Sequence, residues 1–307
     1  MRSSSTERRN PRSRGIDRKS TLEILRLLNG EDARVAQAVR HELPKIAKAV
    51  DTIVSGLRNG GRLIYVGAGT SGRQAVLDAA ECPPTFGTPS GMVQAFIAGG
   101  ERALRFASEG AEDSAANGAR DLRHARLTPR DVVVGISASG TTPYVLGALQ
   151  FARRKGATTI AIMSNPGAAI TRAANISIEP DTGPEAISGS TRMKAGTAQK
   201  MVLNMLSTAA MVRLGRVYDN WMIHLALTNG KLRRRGAQIL EEIARASASA
   251  AEHALRQTGH DLPAAIVMLK TGASARDARR SIEETGGDVR RAIEVANRSQ
   301  HKVKGRG

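Results

Sequence analysis

The sequence contains one cysteine, few aromatic residues and no long apolar run. The single thiol of Cys82 excludes an intrachain disulfide and leaves no cysteine cluster for a metal, which favours a reducing compartment. Aromatic residues make up 3%, so the core must consist largely of alanine, valine, isoleucine and leucine. No apolar stretch is long enough to span a bilayer, and residues 1–10 lack the apolar segment of a secretory signal. We therefore expect a cytoplasmic protein without a membrane partner.

Acidic residues are scarce relative to basic ones, 28 against 46, which gives a net charge of +18. Such an excess is compatible with nucleic-acid binding. However, the basic residues concentrate near 8–19, 233–235 and 302–306, and no basic patch is interleaved with aromatic residues for base stacking. We interpret them as solvated charges and expect no nucleic-acid partner.

Glycine, threonine and serine residues follow the first predicted strand. The apolar run Leu63–Val66 is typical of a buried strand, and the loop after it leads into a helix at about Ser71. Such a loop directs backbone N–H groups and hydroxyls to a helix N-terminus, whose partial positive charge suits a phosphate or another anion. We predict that Gly69, Thr70 and Ser71 bind this ligand.

A second loop of the same kind follows the predicted strand that ends at Ile136. It reads Ser137-Ala-Ser139-Gly-Thr-Thr142, and Pro143 then begins a helix. One such loop is a weak signal, but two at strand ends favour a phosphorylated small molecule, with Ser137, Ser139 and Thr142 as candidate binding residues. Neither loop has the glycine spacing of a Rossmann dinucleotide motif or the Gly-Lys-Ser/Thr of a P-loop, which disfavours NAD and ATP.

Five apolar runs alternate with helical patterns and predict an α/β fold with a doubly wound, parallel five-stranded sheet. The alternation implies right-handed crossovers, with the ligand at the carboxyl ends of the strands. The predicted strands are 63–66, 92–97, 131–136, 158–163 and 176–178.

Helical patterns flank and connect these strands. A helix with capping-box spacing at Ser20 and a longer helix that Pro44 kinks or divides precede the sheet. The helix after the first loop is predicted to end at Glu81, because Pro83 and Pro84 follow it. The remaining helices are predicted at 191–214, 232–255, 262–269, 274–284 and 289–296.

Both hydroxyl-rich loops together resemble a sugar-isomerase (SIS) domain, which binds phosphosugars. Four longer strings are more specific, and the similarity runs from about Leu22 to the last predicted helices. They resemble the N-acetylmuramic acid 6-phosphate etherase family: GAGTSGR at 67–73, DAAECPPT at 78–85, EGAEDS at 109–114 and GSTRMKAGTAQK at 189–200.

The resemblance implies cleavage of the D-lactyl ether of N-acetylmuramic acid 6-phosphate, giving N-acetylglucosamine 6-phosphate and D-lactate. It implies no metal and no organic cofactor. By match to the family strings, Glu81 is the proton donor and Glu112 is the base. Lys194, in the string at 189–200, either contacts the substrate or covers the dimer surface. A homodimer is expected, because the long helix at 191–214 has an apolar face that fits either the core or a second subunit.

The resemblance also fixes the expected domains. We predict a disordered basic leader at 1–19, an SIS phosphosugar-binding and catalytic domain with flanking helices at 20–258, a three-helix module similar to ubiquitin-associated domains at 259–298, and a basic tail at 299–307.

General chemistry agrees with two carboxylates in separate roles. If the sugar opens to its aldehyde, the C2 proton becomes acidic and lactate can leave from C3 by elimination, after which water adds. This route needs a base at C2, an acid for the leaving oxygen and a phosphate anchor. The acid needs a raised pKa, which partial burial of Glu81 at a helix end would supply. Glu185 is a rival for the base.

Other interpretations of these residues stay open. Either carboxylate can be an ordinary helix-end charge, and the hydroxyls can simply cap helices. An aldose–ketose isomerase would start with the same proton removal, and a non-catalytic regulator would use the same phosphosugar cradle. The six histidines are scattered without ligand spacing, so no metal site is predicted.

Overall fold

The computed structural model describes residues 5–108, 110–225 and 227–304. The chain divides into two compact units. The first comprises Met1–Ala80 and Ser90–Ala210, and the second comprises Glu81–Pro89 and Met211–Gly307.

A parallel five-stranded sheet forms the centre of the first unit and confirms the predicted fold class. The strands are β1 Leu63–Gly67, β2 Val93–Ile97, β3 Val132–Ile136, β4 Thr158–Ile162 and β5 Ile176–Ile178. Their order in the sheet is β2-β1-β3-β4-β5, so the direction of winding reverses between β1 and β3. Gly67 at the end of β1 pairs with Ile136 at the end of β3, which brings these two strand ends side by side.

Helices cover this sheet, and every residue of β1 and β3 is buried, as expected of central parallel strands. The core packs Ile64, Val66 and Val133 against Val145 and Leu149 of the helix after β3. The helices, two of which continue into the second unit, are α1 Thr21–Asp32, α2 Val35–His41, α3 Leu43–Arg58, α4 Gly69–Phe86, α5 Arg102–Arg105, α6 Ala115–His124, α7 Pro143–Arg154 and α8 Lys194–Arg213.

The helical segment before the sheet follows the sequence closely. Ser20 and Glu23 form the predicted capping box at the start of α1. Pro44 divides the second predicted helix, since α2 ends at His41 and α3 begins at Leu43. Pro44 is the second residue of α3, where a helix needs no N–H donor from it.

The predicted end of α4 is wrong. The helix continues past Glu81 through Pro83 and Pro84 to Phe86. Each proline removes only its own N–H donor, and both are exposed. The turn still closes because the Gly87 N–H donates to the Pro83 carbonyl at 2.9 Å. Glu81 therefore lies within a helix rather than at its end.

The leader also differs from its predicted disorder. From Ser5 onward it forms three short 3-10 turns, Ser5–Glu7, Pro11–Ser13 and Ile16–Arg18. Four of its polar side chains are buried, those of Ser5, Thr6, Asn10 and Ser13. Met1–Ser4 lie outside the described residues.

The second unit has its own apolar core, which includes Ile223, Ile239, Leu255, Ile266 and Ala292. The three predicted C-terminal helices thus share one core with the two helices before them, and the module boundary at 259 stays a prediction. The elements are β6 Val217–Tyr218, β7 Trp221–Met222, α9 Gly230–Ala244, α10 Ala248–Gln257, α11 Leu262–Thr271, α12 Ala275–Glu284 and α13 Val289–Lys304.

Two features of this unit were not predicted. The single helix expected at 232–255 is two helices, because Arg245 adopts a left-handed conformation with φ of 51°. The Ser247 side chain then accepts the Ala250 N–H and starts α10. The antiparallel pair β6–β7 is only two residues long on each side and gave no recognisable alternation. Within the part of the chain described here, no helix has the length and apolarity to cross a membrane.

Candidate functional site

Two hydroxyl-rich loops emerge next to each other at the carboxyl edge of the sheet. One follows Gly67 of β1 and the other follows Ile136 of β3, and these two residues are paired. In parallel sheets of this order, ligands bind in the crevice at the point where the winding reverses, which lies between β1 and β3. The structure therefore brings the two predicted halves of the site together.

The first loop is short and closely packed below an open surface. A Cβ at Gly67 would lie 2.7 Å from the Gly72 nitrogen, so the chain can turn into α4 only with glycine here. Gly69 begins α4 with φ of 52°, and apart from its chain neighbours and the backbone of its own helix no atom lies within 4 Å of where its Cβ would be. Glycine thus leaves the first N–H groups of an 18-residue helix accessible to an anion.

The hydroxyl of Ser71 is buried and already engaged. It donates to Oε1 of Gln199 on α8 at 2.8 Å. Gln199 is 1% exposed, and its Nε2 has no hydrogen-bond partner among the described residues. The pair therefore leaves an unused amide donor next to Ser71, at the start of α4. Sequence reasoning missed Gln199, although it lies in the string at 189–200.

The second loop is held by its own hydroxyls. Ser137 is 3% exposed, and its Oγ lies 2.8 Å from Thr142 Oγ1 and 3.3 Å from Ser139 Oγ. The same oxygen accepts the Gly140 N–H at 3.0 Å. Ser139 Oγ in turn accepts the Thr141 N–H at 3.2 Å. Ser137 thus organises the loop, while Ser139 and Thr142 are partly exposed at its surface.

Gly140 fits this loop for two reasons. Its φ of 72° lies in the left-handed region, which L side chains rarely adopt. A Cβ here would also lie 2.4 Å from the Ala168 Cβ. The loop is consequently pressed against the turn that follows β4.

Lys194 lies in a buried charge network rather than on the open surface. It is 1% exposed, and its Nζ lies 2.6 Å from Oε2 of Glu31 on α1. Glu31 is 4% exposed and also accepts hydrogen bonds from Asn10 and Arg12 of the leader. Burial alone would raise the Glu31 pKa, but the hydrogen bonds from Arg12, Lys194 and Asn10 lower it to about 2.

Glu185, the predicted rival for the base, caps α8. Its two carboxylate oxygens accept the N–H groups of Lys194 at 3.0 Å and Ala195 at 2.9 Å. The side chain is fully buried, and this burial raises the pKa of Glu185 against the opposing effect of the two N–H donors. Both oxygens are thus committed to the start of the helix, which is a structural role.

Glu81 lies on α4 in the segment that belongs to the second unit, and its side chain is exposed. The partial burial expected for it is therefore not found. The preceding turn is anchored by Asp78, which is 4% exposed. Asp78 accepts hydrogen bonds from Tyr65 of β1 at 2.9 Å and from Ser207 of α8 at 3.1 Å, and its burial raises its pKa.

Glu112 lies in the first unit, in the 3-10 turn Ala111–Asp113 that precedes α6. Its side chain is exposed, and Ser114 caps α6 immediately after it by accepting the Asn117 N–H. A carboxylate on a short turn before a helix is held by the backbone yet accessible to a ligand. Glu109, from the same family string, lies outside the described residues.

Metal ligation has no support in the side-chain arrangement. In residues 5–108, 110–225 and 227–304, no three histidine, cysteine, aspartate or glutamate side chains are grouped so that they could hold an ion. His224 is an example of a buried histidine with another use: burial lowers its pKa, and its Nε2 lies 3.1 Å from the Gly287 carbonyl oxygen.

Comparison with known proteins places these features in context. The chain is 54% identical over 288 residues to N-acetylmuramic acid 6-phosphate etherase from Yersinia pestis (strain Pestoides F), covering 94% of this chain and 98% of the relative. The etherase of Yersinia pseudotuberculosis serotype O:1b (strain IP 31758) matches with the same identity and coverage.

More distant similarity concerns the sheet-containing part of the chain. The sequence family of the glucokinase regulatory protein N-terminal SIS domain matches residues 45–153. A solved phosphoheptose isomerase from Neisseria gonorrhoeae is 17% identical, with a TM-score of 0.48, and the match covers 62% of this chain and 98% of that protein.

Proposed function

The chain belongs to the N-acetylmuramic acid 6-phosphate etherase family, and we propose that it cleaves the D-lactyl ether of N-acetylmuramic acid 6-phosphate. The products are N-acetylglucosamine 6-phosphate and D-lactate. The observation that carries the proposal is the pairing of Gly67 with Ile136, which sets two hydroxyl-rich loops side by side at the carboxyl edge of the sheet.

The loops serve as the phosphosugar cradle in this proposal. Hydroxyls and backbone N–H groups satisfy the acceptor oxygens of a phosphate, and the N-terminus of α4 adds a favourable field. The residues proposed to bind substrate are Gly69, Thr70, Ser71, Ser137, Ser139 and Thr142. The predicted substrate contact of Lys194 is not kept, because its side chain is 1% exposed and paired with Glu31. Since Ser71 donates its proton to Gln199, its hydroxyl can only accept from a ligand, and the backbone N–H groups at the start of α4 are the donors that this part of the cradle offers.

The proposed reaction is an elimination followed by addition of water. With the sugar open to its aldehyde, Glu112 removes the C2 proton, and the C3–O bond breaks as Glu81 gives a proton to the departing lactate oxygen. Water then adds its hydroxyl to C3 and a proton to C2 of the unsaturated aldehyde. The sum is hydrolysis of the ether, and the two carboxylates return to their starting states.

A homodimer is proposed on the basis of exposed apolar side chains. Leu22 and Leu25 are three residues apart on α1 and are each 56% exposed, while Phe106 is 61% exposed. Leu22 and Leu25 lie on one face of α1, and adjoining exposed apolar side chains mark surfaces that bind a protein partner. Sedimentation equilibrium of the purified chain should give twice the monomer mass, and Leu25→Glu should shift it towards the monomer. A monomeric wild-type chain would contradict the proposal.

We also propose a cytoplasmic location, because a single cysteine favours a reducing compartment.

Product analysis tests the reaction class. We expect the purified protein, incubated with N-acetylmuramic acid 6-phosphate, to release D-lactate and N-acetylglucosamine 6-phosphate in equal amounts. With glucose 6-phosphate as substrate, no ketose should form. Ketose formation without lactate would replace the etherase by an aldose–ketose isomerase, and phosphosugar binding without turnover would indicate a regulator.

A further inference from the structure

Asn165 connects the leader to the second hydroxyl-rich loop. It lies in the turn after β4 and is 7% exposed. Its Nδ2 is within hydrogen-bond distance of three oxygens: Ser139 O at 3.2 Å, Ala138 O at 3.4 Å and Thr6 Oγ1 at 3.0 Å. Two of these oxygens belong to the backbone of the Ser137–Thr142 loop, and the third belongs to the leader.

The other end of the same amide is held by the leader alone. Asn165 Oδ1 accepts the Ser5 hydroxyl at 2.7 Å and the Thr6 N–H at 3.2 Å. A backbone N–H can only donate and a backbone carbonyl can only accept. The orientation of the amide is therefore fixed by its partners, with its oxygen towards the leader and its nitrogen towards the loop.

The leader makes a second set of contacts around the start of α8. Asn10 Nδ2 donates to the Pro184 carbonyl at 3.1 Å and to Glu31 Oε2 at 2.7 Å. Arg12 Nε donates to Oε1 of Glu31, whose Oε2 also pairs with Lys194. Residues 5–13 thus contact both the turn after β4, through Asn165, and the loop that leads into α8.

We propose that this segment, Ser5–Ser13, is a strap that holds the phosphosugar cradle in its binding shape, with Asn165 as the positioning residue through which it acts. Thr6 and Ser5 orient the Asn165 amide, and the amide fixes the carbonyls of Ala138 and Ser139. The claim that this holding tightens substrate binding rests on the proposed function, because it takes the Ser137–Thr142 loop to be the phosphate cradle.

The hydrogen bonds within the Ser137–Thr142 loop join residues of the loop to one another, so they constrain its shape but not its position relative to β4. Ser164 N donates to the Ala138 carbonyl at 3.1 Å, and Ile170 N donates to the Gly140 carbonyl at 3.0 Å. The Asn165 amide adds a side-chain link between these two backbone hydrogen bonds. If the loop is displaced, its hydroxyls are misplaced relative to the ligand.

Thr6 offers a matched pair of substitutions. It is fully buried, so Thr6→Val keeps its shape and removes the oxygen that accepts from Asn165, while Thr6→Ser keeps that oxygen and removes a methyl group. We expect Thr6→Val to raise the KM for N-acetylmuramic acid 6-phosphate about tenfold with kcat changed less than about twofold. Thr6→Ser should stay close to wild type. Thr52→Val, which removes an exposed hydroxyl bonded within α3, is the control for the substitution itself.

Asn165→Asp is the stronger variant, because it replaces the donating amide nitrogen by an anionic oxygen that faces three acceptors. We expect a KM increase of about a hundredfold, since charge is then placed against lone pairs in a buried position. If Asn165→Asp does not fold, the comparison of Thr6→Val with Thr6→Ser decides whether the strap affects KM.

Amide hydrogen exchange tests the strap independently of the proposed function. In Thr6→Val, the Gly140 N–H should exchange about tenfold faster than in wild type, whereas the core amide of Val133 should not change. Unchanged Gly140 exchange, or equal KM values for Thr6→Val and Thr6→Ser, would overturn the proposal that the strap holds the loop. Failure of the wild-type protein to release lactate would instead overturn the proposed function, and the exchange result would still decide whether the strap holds the loop.

Discussion

Replacing Glu112 by glutamine is expected to lower turnover of N-acetylmuramic acid 6-phosphate by about 10²–10⁴-fold while the fold survives. Glutamine has nearly the same shape, and the Glu112 side chain is exposed, so little packing is lost. What disappears is a carboxylate that can accept the C2 proton. The measurement is steady-state D-lactate release, with circular dichroism to verify the fold.

Asp113→Asn is the matched control, because it removes a second exposed carboxylate from the same 3-10 turn. We expect its turnover to stay within about threefold of wild type, as for loss of a screened surface charge. If both variants lost activity equally, a local charge effect would explain the loss better than a base. Near-normal activity of Glu112→Gln would remove Glu112 from the mechanism.

Glu81→Gln is expected to lower lactate release by a similar factor, through loss of the acid that protonates the leaving oxygen. The Glu81 side chain is exposed in the single chain, so glutamine removes the carboxylate with little loss of packing. An active Glu81→Gln variant would end that assignment.

The second large effect is expected on stability, from the buried pair of Glu31 and Lys194. Lys194→Met should lower the free energy of unfolding by roughly 3–5 kcal/mol, because it leaves a buried carboxylate with fewer compensating charges. Arg256→Met is the control, since Arg256 pairs with Glu252 at the surface, where the two side chains are 63% and 64% exposed, and should contribute less than about 1 kcal/mol. Urea unfolding at pH 7 measures both.

The same pair predicts a pH dependence with a definite sign. The folded-state pKa of Glu31 is about 2, below its ordinary value of 4.5. The ionised Glu31 side chain therefore makes its full contribution to the free energy of unfolding above about pH 4.5. This contribution, roughly 3 kcal/mol, is lost as the pH falls towards 2. Glu31→Gln should unfold more easily at pH 7 yet lose less stability between pH 5 and pH 3 than wild type. If both proteins lost the same unfolding free energy between pH 5 and pH 3, Glu31 would not be the origin of the pH dependence.

The sheet and the cradle could be predicted because their signals are local. Apolar runs such as Leu63–Val66 and 131–136 have few alternatives to buried strands, and each is followed directly by glycine and hydroxyl residues. The pairing of β1 with β3 then places both loops at one edge. Local sequence thus predicts both loops that we propose to bind the phosphosugar.

The errors arose where distant contacts decide the structure. Ser5 and Thr6 are ordered by Asn165, about 160 positions away, so a polar and basic leader that looks disordered by composition is not. Lys194 is buried because Glu31 lies opposite it, which no local pattern reveals. Pro83 and Pro84 predict a helix end at Glu81 because prolines usually stop helices. In the structure, α4 continues through both prolines near its C-terminus.

The most direct test of the account follows the C2 proton. When the wild-type protein converts N-acetylmuramic acid 6-phosphate in heavy water, elimination and re-addition should leave one deuterium at C2 of the N-acetylglucosamine 6-phosphate, and ¹⁸O-labelled water should place its oxygen at C3. Glu112→Gln should also fail to exchange the C2 proton of N-acetylglucosamine 6-phosphate with solvent, as measured by proton NMR. Product that keeps its original C2 proton, with the labelled oxygen in lactate instead, would contradict elimination and the role of Glu112 in it.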